Sequence, residues 1–259
     1  MPIWLRRWKM LNNLLLELNM QGAVAAYEKL NQTTTDKELL MIQLLEAELQ
    51  HRKDKSMKRR LQQARFPVEK EWVEIDPALN PKIDFRRIEK LFDGNFLEIK
   101  QNLCFAGLQG TGKTHSLIAL GRQLCRKGKT VRFYTACGLV NALEEAKHSL
   151  TLGKLMNTLL IPKLLIIDEL GFVPFSENGS RLLFDVFASR YERGSIAVST
   201  NLSFEKWVQV FGSVELTAAL VDRFTHKAEI MLFEGDSVRL MQTKNKKSCL
   251  INAIKNPAC

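Results

Sequence analysis

One stretch constrains this chain above all others: residues 102–114, Asn-Leu-Cys-Phe-Ala-Gly-Leu-Gln-Gly-Thr-Gly-Lys-Thr. The apolar run Leu103 to Ala106 reads as a buried strand, and the periodic apolar residues Leu117, Ile118, Leu120 and Leu124 read as a helix. Between them Gly107, Gly112, Lys113 and Thr114 spell G-x-x-x-x-G-K-T, a phosphate-binding loop. Its glycines let backbone N–H groups converge on a phosphate, and the following helix N-terminus adds partial positive charge. Gly107, Leu108, Gln109, Gly110, Thr111, Gly112, Lys113, Thr114 and His115 are therefore the expected ATP-binding residues. Lys113 would neutralise the β- and γ-phosphates, and the Thr114 hydroxyl would ligate Mg²⁺.

Strands must alternate with helices around such a loop, and they do. Val131 to Tyr134 reads as a strand, Leu139 to Leu160 as one or two helices, and Lys163 to Phe172 as a continuous apolar run of the kind a parallel strand shows. A helix from Glu177 to Arg193, a strand from Ser195 to Ser199, two short helices and a last strand, Ala228 to Phe233, follow. This pattern predicts a parallel α/β sheet, with ligands beyond the carboxyl ends of its strands. Asp168 and Glu169 stand at one such end, where Asp168 could hold Mg²⁺ and Glu169 could take a proton from an attacking water. Asn201 ends another strand and could position that water. Arg223 has two readings: a surface partner for Asp222, or an arginine finger serving the nucleotide of a neighbouring subunit.

Ahead of this, residues 1–66 read as helical, with a break at Gly22 and a capping box, Thr35 with Glu38, opening a long helix that ends by Pro67. Between His51 and Arg65 that helix carries Arg52, Lys53, Lys55, Lys58, Arg59, Arg60 and Arg65 against one acid, Asp54. Such a run is either a solvated face or a helix that tracks phosphates, and the formal net charge of +10 favours a polyanionic partner. Residues 67–83, with Pro67, Pro77 and Pro81, read as a linker strapped to the next domain, with a boundary near residue 70. The expected organisation is a helical DNA- or partner-binding domain (1–69), an ATPase domain (70–243) and a basic tail (244–259).

Five cysteines form no C-x-x-C pair, and four scattered histidines suggest no metal site. No apolar stretch reaches the roughly 18 residues a membrane helix needs, and with no evident secretory signal a reducing cytoplasm is expected.

Leu165-Ile-Ile-Asp-Glu-Leu-Gly-Phe-Val-Pro-Phe-Ser, Arg181-Leu-Leu-Phe, Arg190-Tyr-Glu-Arg-Gly-Ser, Ser199-Thr-Asn and Val210-Phe-Gly resemble the IstB family. These are AAA+ ATPase helpers of insertion-sequence transposases, related to DnaC and DnaA, and the resemblance runs from about Leu11 to Lys244. It implies a helical domain ahead of an AAA+ domain with strand order 5-1-4-3-2. It also implies ATP hydrolysis coupled to a ring or helical homo-oligomer on double-stranded DNA, which is bent and presented to an IstA-type transposase. By resemblance Asn201 falls on the first sensor and Arg223 on the interfacial finger. The helices between Leu139 and Leu160 fall on a DNA-facing insertion, making Lys147 and Lys154 candidate phosphate contacts. The competing expectation is a DnaC-like helicase loader acting on single-stranded DNA. A nucleotide switch that hydrolyses nothing is disfavoured, because it has no use for Glu169.

Overall fold

Leucines at helical spacing give the first part of the chain three helices: α1 (Ile3–Glu17), α2 (Gln21–Thr33) and α3 (Lys37–Ala64). The computed structural model describes residues 3–33, 36–238 and 241. The chain divides into two compact units, Met1–Arg59 and Arg60–Cys259, so the last residues of α3 count with the second.

The break expected at Gly22 lies earlier, at Asn19, which turns the chain with φ 55, and Gly22 sits inside α2. The reason is packing. A Cβ on Gly22 would collide with the Ala47 carbonyl, the Glu48 Cα and His51 on α3. The close approach lets the buried Glu48 carboxylate accept from the Gly22 amide at 2.7 Å and the Ala23 amide at 3.3 Å, satisfying orphan donors of α2. Burial opposes the Glu48 charge, but Arg52 and these two amides outweigh it and hold the carboxyl below its usual range. The α3 helix stops at Ala64, where Arg65 takes φ 57 two residues ahead of Pro67. Thr35 of the expected capping box and the tail from Lys244 lie outside the described residues.

The second unit opens with two 3₁₀ turns, Trp72–Glu74 and Pro77–Leu79, then α4 (Phe85–Leu91) and α5 (Asn95–Glu98). The alternating pattern follows: β1 (Asn102–Gly107), α6 (Lys113–Arg126), β2 (Val131–Thr135), α7 (Ala136–His148), α8 (Leu152–Leu160) and β3 (Leu164–Leu170). It closes with α9 (Glu177–Arg190), β4 (Ser195–Thr200), α10 (Val208–Phe211), α11 (Val214–Thr225) and β5 (Ala228–Phe233). The sheet order is β2-β3-β4-β1-β5 with every neighbouring pair parallel, the expected 5-1-4-3-2 order counted from the other edge.

Successive strand residues point to opposite faces, so each strand feeds two cores. Leu103, Phe105, Leu164 and Ile166 meet α4, α5 and α6 on one face. Cys104, Leu165, Ile167 and Val198 meet α7, α9 and α11 on the other. Burial pushes the Cys104 thiol up to about 12, so it is a small, inert core residue. Arg190, from the Arg-Tyr-Glu-Arg-Gly-Ser stretch, is buried in the second core, and its guanidinium donates to the Leu159, Pro162 and Ser195 carbonyls. That one side chain ties the entrances of β3 and β4 together. Among the described residues no helix is long and apolar enough to cross a membrane.

Candidate functional site

β1 delivers the chain to the phosphate loop, and two glycines there answer to distinct demands. Gly107 passes so close to the Phe233 backbone carbonyl that no Cβ would fit. Gly112, at φ 105, has open space around it and is needed for the left-handed backbone that starts α6. The Lys113 ammonium donates to the Gly107 carbonyl at 2.7 Å and the Leu108 carbonyl at 2.6 Å, which stretches it across the loop. Burial lowers its pKa, partly countered by Asp168 and Glu169.

β3 and β4 supply the opposing wall. The Thr114 hydroxyl donates to both Asp168 oxygens at 3.0 Å, and the Ser199 hydroxyl donates to Asp168 Oδ1. Burial raises the Asp168 pKa against these hydrogen bonds and Lys113. At this point the β3–β4 register shifts between Ile167 and Leu170, a β-bulge. Glu169 occupies the bulge at φ 61, its amide donating to the Ser199 hydroxyl at 2.9 Å and its side chain exposed. A glutamate in that region stores about 1 kcal/mol or more of backbone strain, a cost that clusters at functional sites.

Gln109 to His115, Glu169, Thr200 and Asn201 all line one cavity of about 800 Å³. Among the other expected residues, Asp168 reaches it through Thr114 and Ser199, while Arg223 stands apart: exposed at the end of α11, its guanidinium lies over the Phe184 ring at 5.3 Å. His115 lines the cavity, and its Nε2 lies 2.9 Å from the Glu71 carbonyl.

The reading from sequence missed one wall. Val68, Ile75, Leu79 and Asn80, from the segment taken as a linker, line the same cavity, as do Phe85 at the start of α4 and Val238 beyond β5. That segment is bolted to α6 by Glu71, whose carboxylate accepts from Arg122 at 2.8 Å and from Arg126 at 2.7 and 2.5 Å. The Arg126 hydrogen bond, over an opposing burial effect and with help from Arg122, holds the Glu71 carboxyl down to about 2. The available signal was the spacing of Val68, Ile75 and Leu79 among prolines, apolar residues an exposed linker has no use for.

The basic candidates fall in both units. In the first, Arg52, Lys53, Lys55, Lys58 and Arg59 are exposed, with Arg52 paired to Glu48 at 2.7 Å. In the second, Arg65, Lys147 and Lys154 are exposed, and Lys147 donates to Asn178. Arg60 is half-buried and donates to the Cys125 carbonyl at 2.9 Å. At helical spacing Arg52, Lys55 and Arg59 share one side of α3.

Comparison with known proteins gives a consistent picture. The model of the IstB-like ATP binding protein family matches residues 13–247. An ATP-binding protein of insertion sequence IS5376 from Geobacillus stearothermophilus is 34% identical over 204 residues, 79% of this chain and 81% of that protein. Its counterpart in insertion sequence IS21 from Pseudomonas aeruginosa is 32% identical over 235 residues, 89% of each. Among solved structures, a DNA replication initiation factor superposes with TM-score 0.51 at 25% identity over 62% of this chain, which spans about half (49%) of that one. The DnaC helicase loader superposes with TM-score 0.52 at 19% identity, over 68% of this chain and 99% of the other, a likeness of fold.

Proposed function

Because this chain belongs to the IstB-like ATP-binding protein family, we propose that it is the DNA-binding AAA+ ATPase that assists an insertion-sequence transposase. ATP occupies the cavity at the end of β1, its phosphates cradled by the loop amides from Leu108 to Thr114, with Lys113 as the neutralising cation. Thr114 and Asp168 suit Mg²⁺: a hydroxyl and a carboxylate in direct contact, oxygen donors for a hard ion. When bound, the ion neutralises charge that builds on the phosphates.

Hydrolysis is assigned to three further groups. Glu169 accepts a proton from the attacking water, Asn201 orients that water, and Arg223 serves the nucleotide held by a neighbouring copy. The observation that carries this reading is the bulge in β3, which holds Glu169 in a costly conformation on the wall facing the phosphate loop. Asp168, one residue earlier, stays buried against Thr114. Consecutive residues thus divide into metal ligand and base.

Residues 1–69 would grip DNA or a partner, residues 70–243 would turn over ATP, and the tail 244–259 would add positive charge. Arg52, Lys53, Lys55, Lys58, Arg59, Arg65, Lys147 and Lys154 are assigned to the phosphates of duplex DNA, whereas Arg60, expected among them, is held by the Cys125 carbonyl. Copies assemble on that duplex as a ring or helix in the cytoplasm, bend it and recruit an IstA-type transposase, which performs the chemistry on DNA. Glu169→Gln tests the assignment: ATP affinity should persist while turnover falls about 100-fold or more. Normal turnover in that variant would remove Glu169 as the base. As the control, Lys113→Ala should lose ATP binding, and undiminished affinity would refute the cradle.

A further inference from the structure

Asn80 is a buried amide, 3% exposed, to which ATP hydrolysis as described assigns no task. It follows the 3₁₀ turn Pro77–Leu79, which Asp76 caps by accepting from the Ala78 amide at 2.9 Å. Asn80 Nδ2 donates to the Thr111 carbonyl at 3.3 Å, inside the phosphate loop, and to the Asp236 carbonyl at 3.4 Å, beyond β5. Gly235, at φ 123, fits beside the amide oxygen with no room for a Cβ. Next to this knot the Val238 amide donates to the Gly110 carbonyl at 3.0 Å.

The carbonyls so held belong to consecutive loop residues, and peptide geometry gives that consequence. A trans peptide is rigid and planar, with its C=O and the next N–H pointing in opposite directions. Anchoring the Gly110 carbonyl therefore aims the Thr111 N–H, and anchoring the Thr111 carbonyl aims the Gly112 N–H. These amides lie in the part of the loop that a phosphate must meet.

We propose that Asn80 is a positioning residue for ATP. Its side-chain amide orients the Thr111–Gly112 peptide toward the phosphates and ties nucleotide occupancy to residues 67–83. The inference rests on the ATP-binding reading and adds to it a coupling between the loop and the segment on its flank. That segment has a second side-chain fastening, the Glu71 carboxylate, which is clamped by Arg122 and Arg126 and does not touch the loop, although the Glu71 backbone carbonyl lies 2.9 Å from His115 Nε2. The two fastenings thus differ in kind: Glu71 is structural, whereas Asn80 reports on the nucleotide.

The test uses the full chain with Asn80→Asp, Asn80→Ala and Glu71→Gln, reading ATP affinity and hydrogen exchange of residues 67–83 and 234–238. The aspartate is isosteric, so it preserves packing while removing the donor and setting a carboxylate against two carbonyls. Asn80→Ala should weaken ATP about tenfold, the equivalent of one lost hydrogen bond, and Asn80→Asp more. Glu71→Gln should stay within about threefold of the parent protein. ATP should slow exchange across 67–83 in the parent and in Glu71→Gln, and fail to do so in both Asn80 variants at saturating nucleotide. Parent-like affinity and protection in Asn80→Asp would overturn the proposal, as would an equal loss of affinity in Glu71→Gln. A parent protein that does not bind ATP would overturn the underlying reading first, which the parent titration reveals directly.

Discussion

The two units of this chain differ in how much core they build and in how they hold charge. In the ATP-binding unit, both faces of the sheet are packed, and two charged residues of the site are held by the protein itself, Lys113 on loop carbonyls and Asp168 on two hydroxyls, while Glu169 is exposed. The helical unit has a small core around Leu15, Ala23 and Leu44. It leaves Met10, Leu14, Leu18, Ile42, Leu45 and Leu49 exposed, and most of the α3 cations reach solvent. A unit that holds its charges in place around a cavity is suited to a small ligand. Under the proposed function, the unit that exposes apolar stripes and like charges is the one that meets the larger partner.

The sharpest way to break this contrast is Arg223, an exposed cation assigned to the ATPase chemistry. Arg223→Ala should lower turnover about 1000-fold while each copy still binds ATP. Mixing it with Lys113→Ala, which is inactive but carries an intact Arg223, should restore turnover. Failure to restore would make Arg223 a residue of its own pocket or of none.

A smaller effect separates the cores. Ile166→Ala, in the sheet, should destabilise the protein by about 2–5 kcal/mol in denaturant unfolding, whereas Leu45→Ala should change stability by about 0.5 kcal/mol or less. A large cost at Leu45 would mean that this stripe is already covered.

The smallest expected effect concerns the basic side of α3. Neutralising Lys55 and Arg59 together should weaken duplex binding evenly across sequences and reduce the salt slope by about one per lost phosphate contact. An unchanged slope would return these residues to a solvated face. Arg60 is left out of the pair because the Cys125 carbonyl already holds its guanidinium.

Legibility from sequence followed the range of the interactions. The strands, the loop and the acid pair were readable because each rests on local periodicity or on a motif of adjacent residues. Gly22 was misread as a break because its role comes from α3, where Ala47, Glu48 and His51 press against it. The wall formed by residues 67–83 was missed for the same reason. Asn80 owes its place to Thr111 and Asp236, partners far along the chain that leave no local pattern. The strain at Glu169 was equally invisible, since the bulge exists only through pairing with β4. Of the basic residues, charge and spacing identified the run on α3, but only the fold could show which guanidinium was engaged.

Under the proposed function, ATP shared between neighbouring copies assembles this protein on a double helix. Sedimentation of the full chain with long duplex DNA, with and without ATP and magnesium, tests it most directly. Large assemblies should form with duplex and ATP together, be abolished by Lys113→Ala and persist in Glu169→Gln. A monomer that ignores duplex at saturating ATP, or assembly on single strands alone, would contradict it.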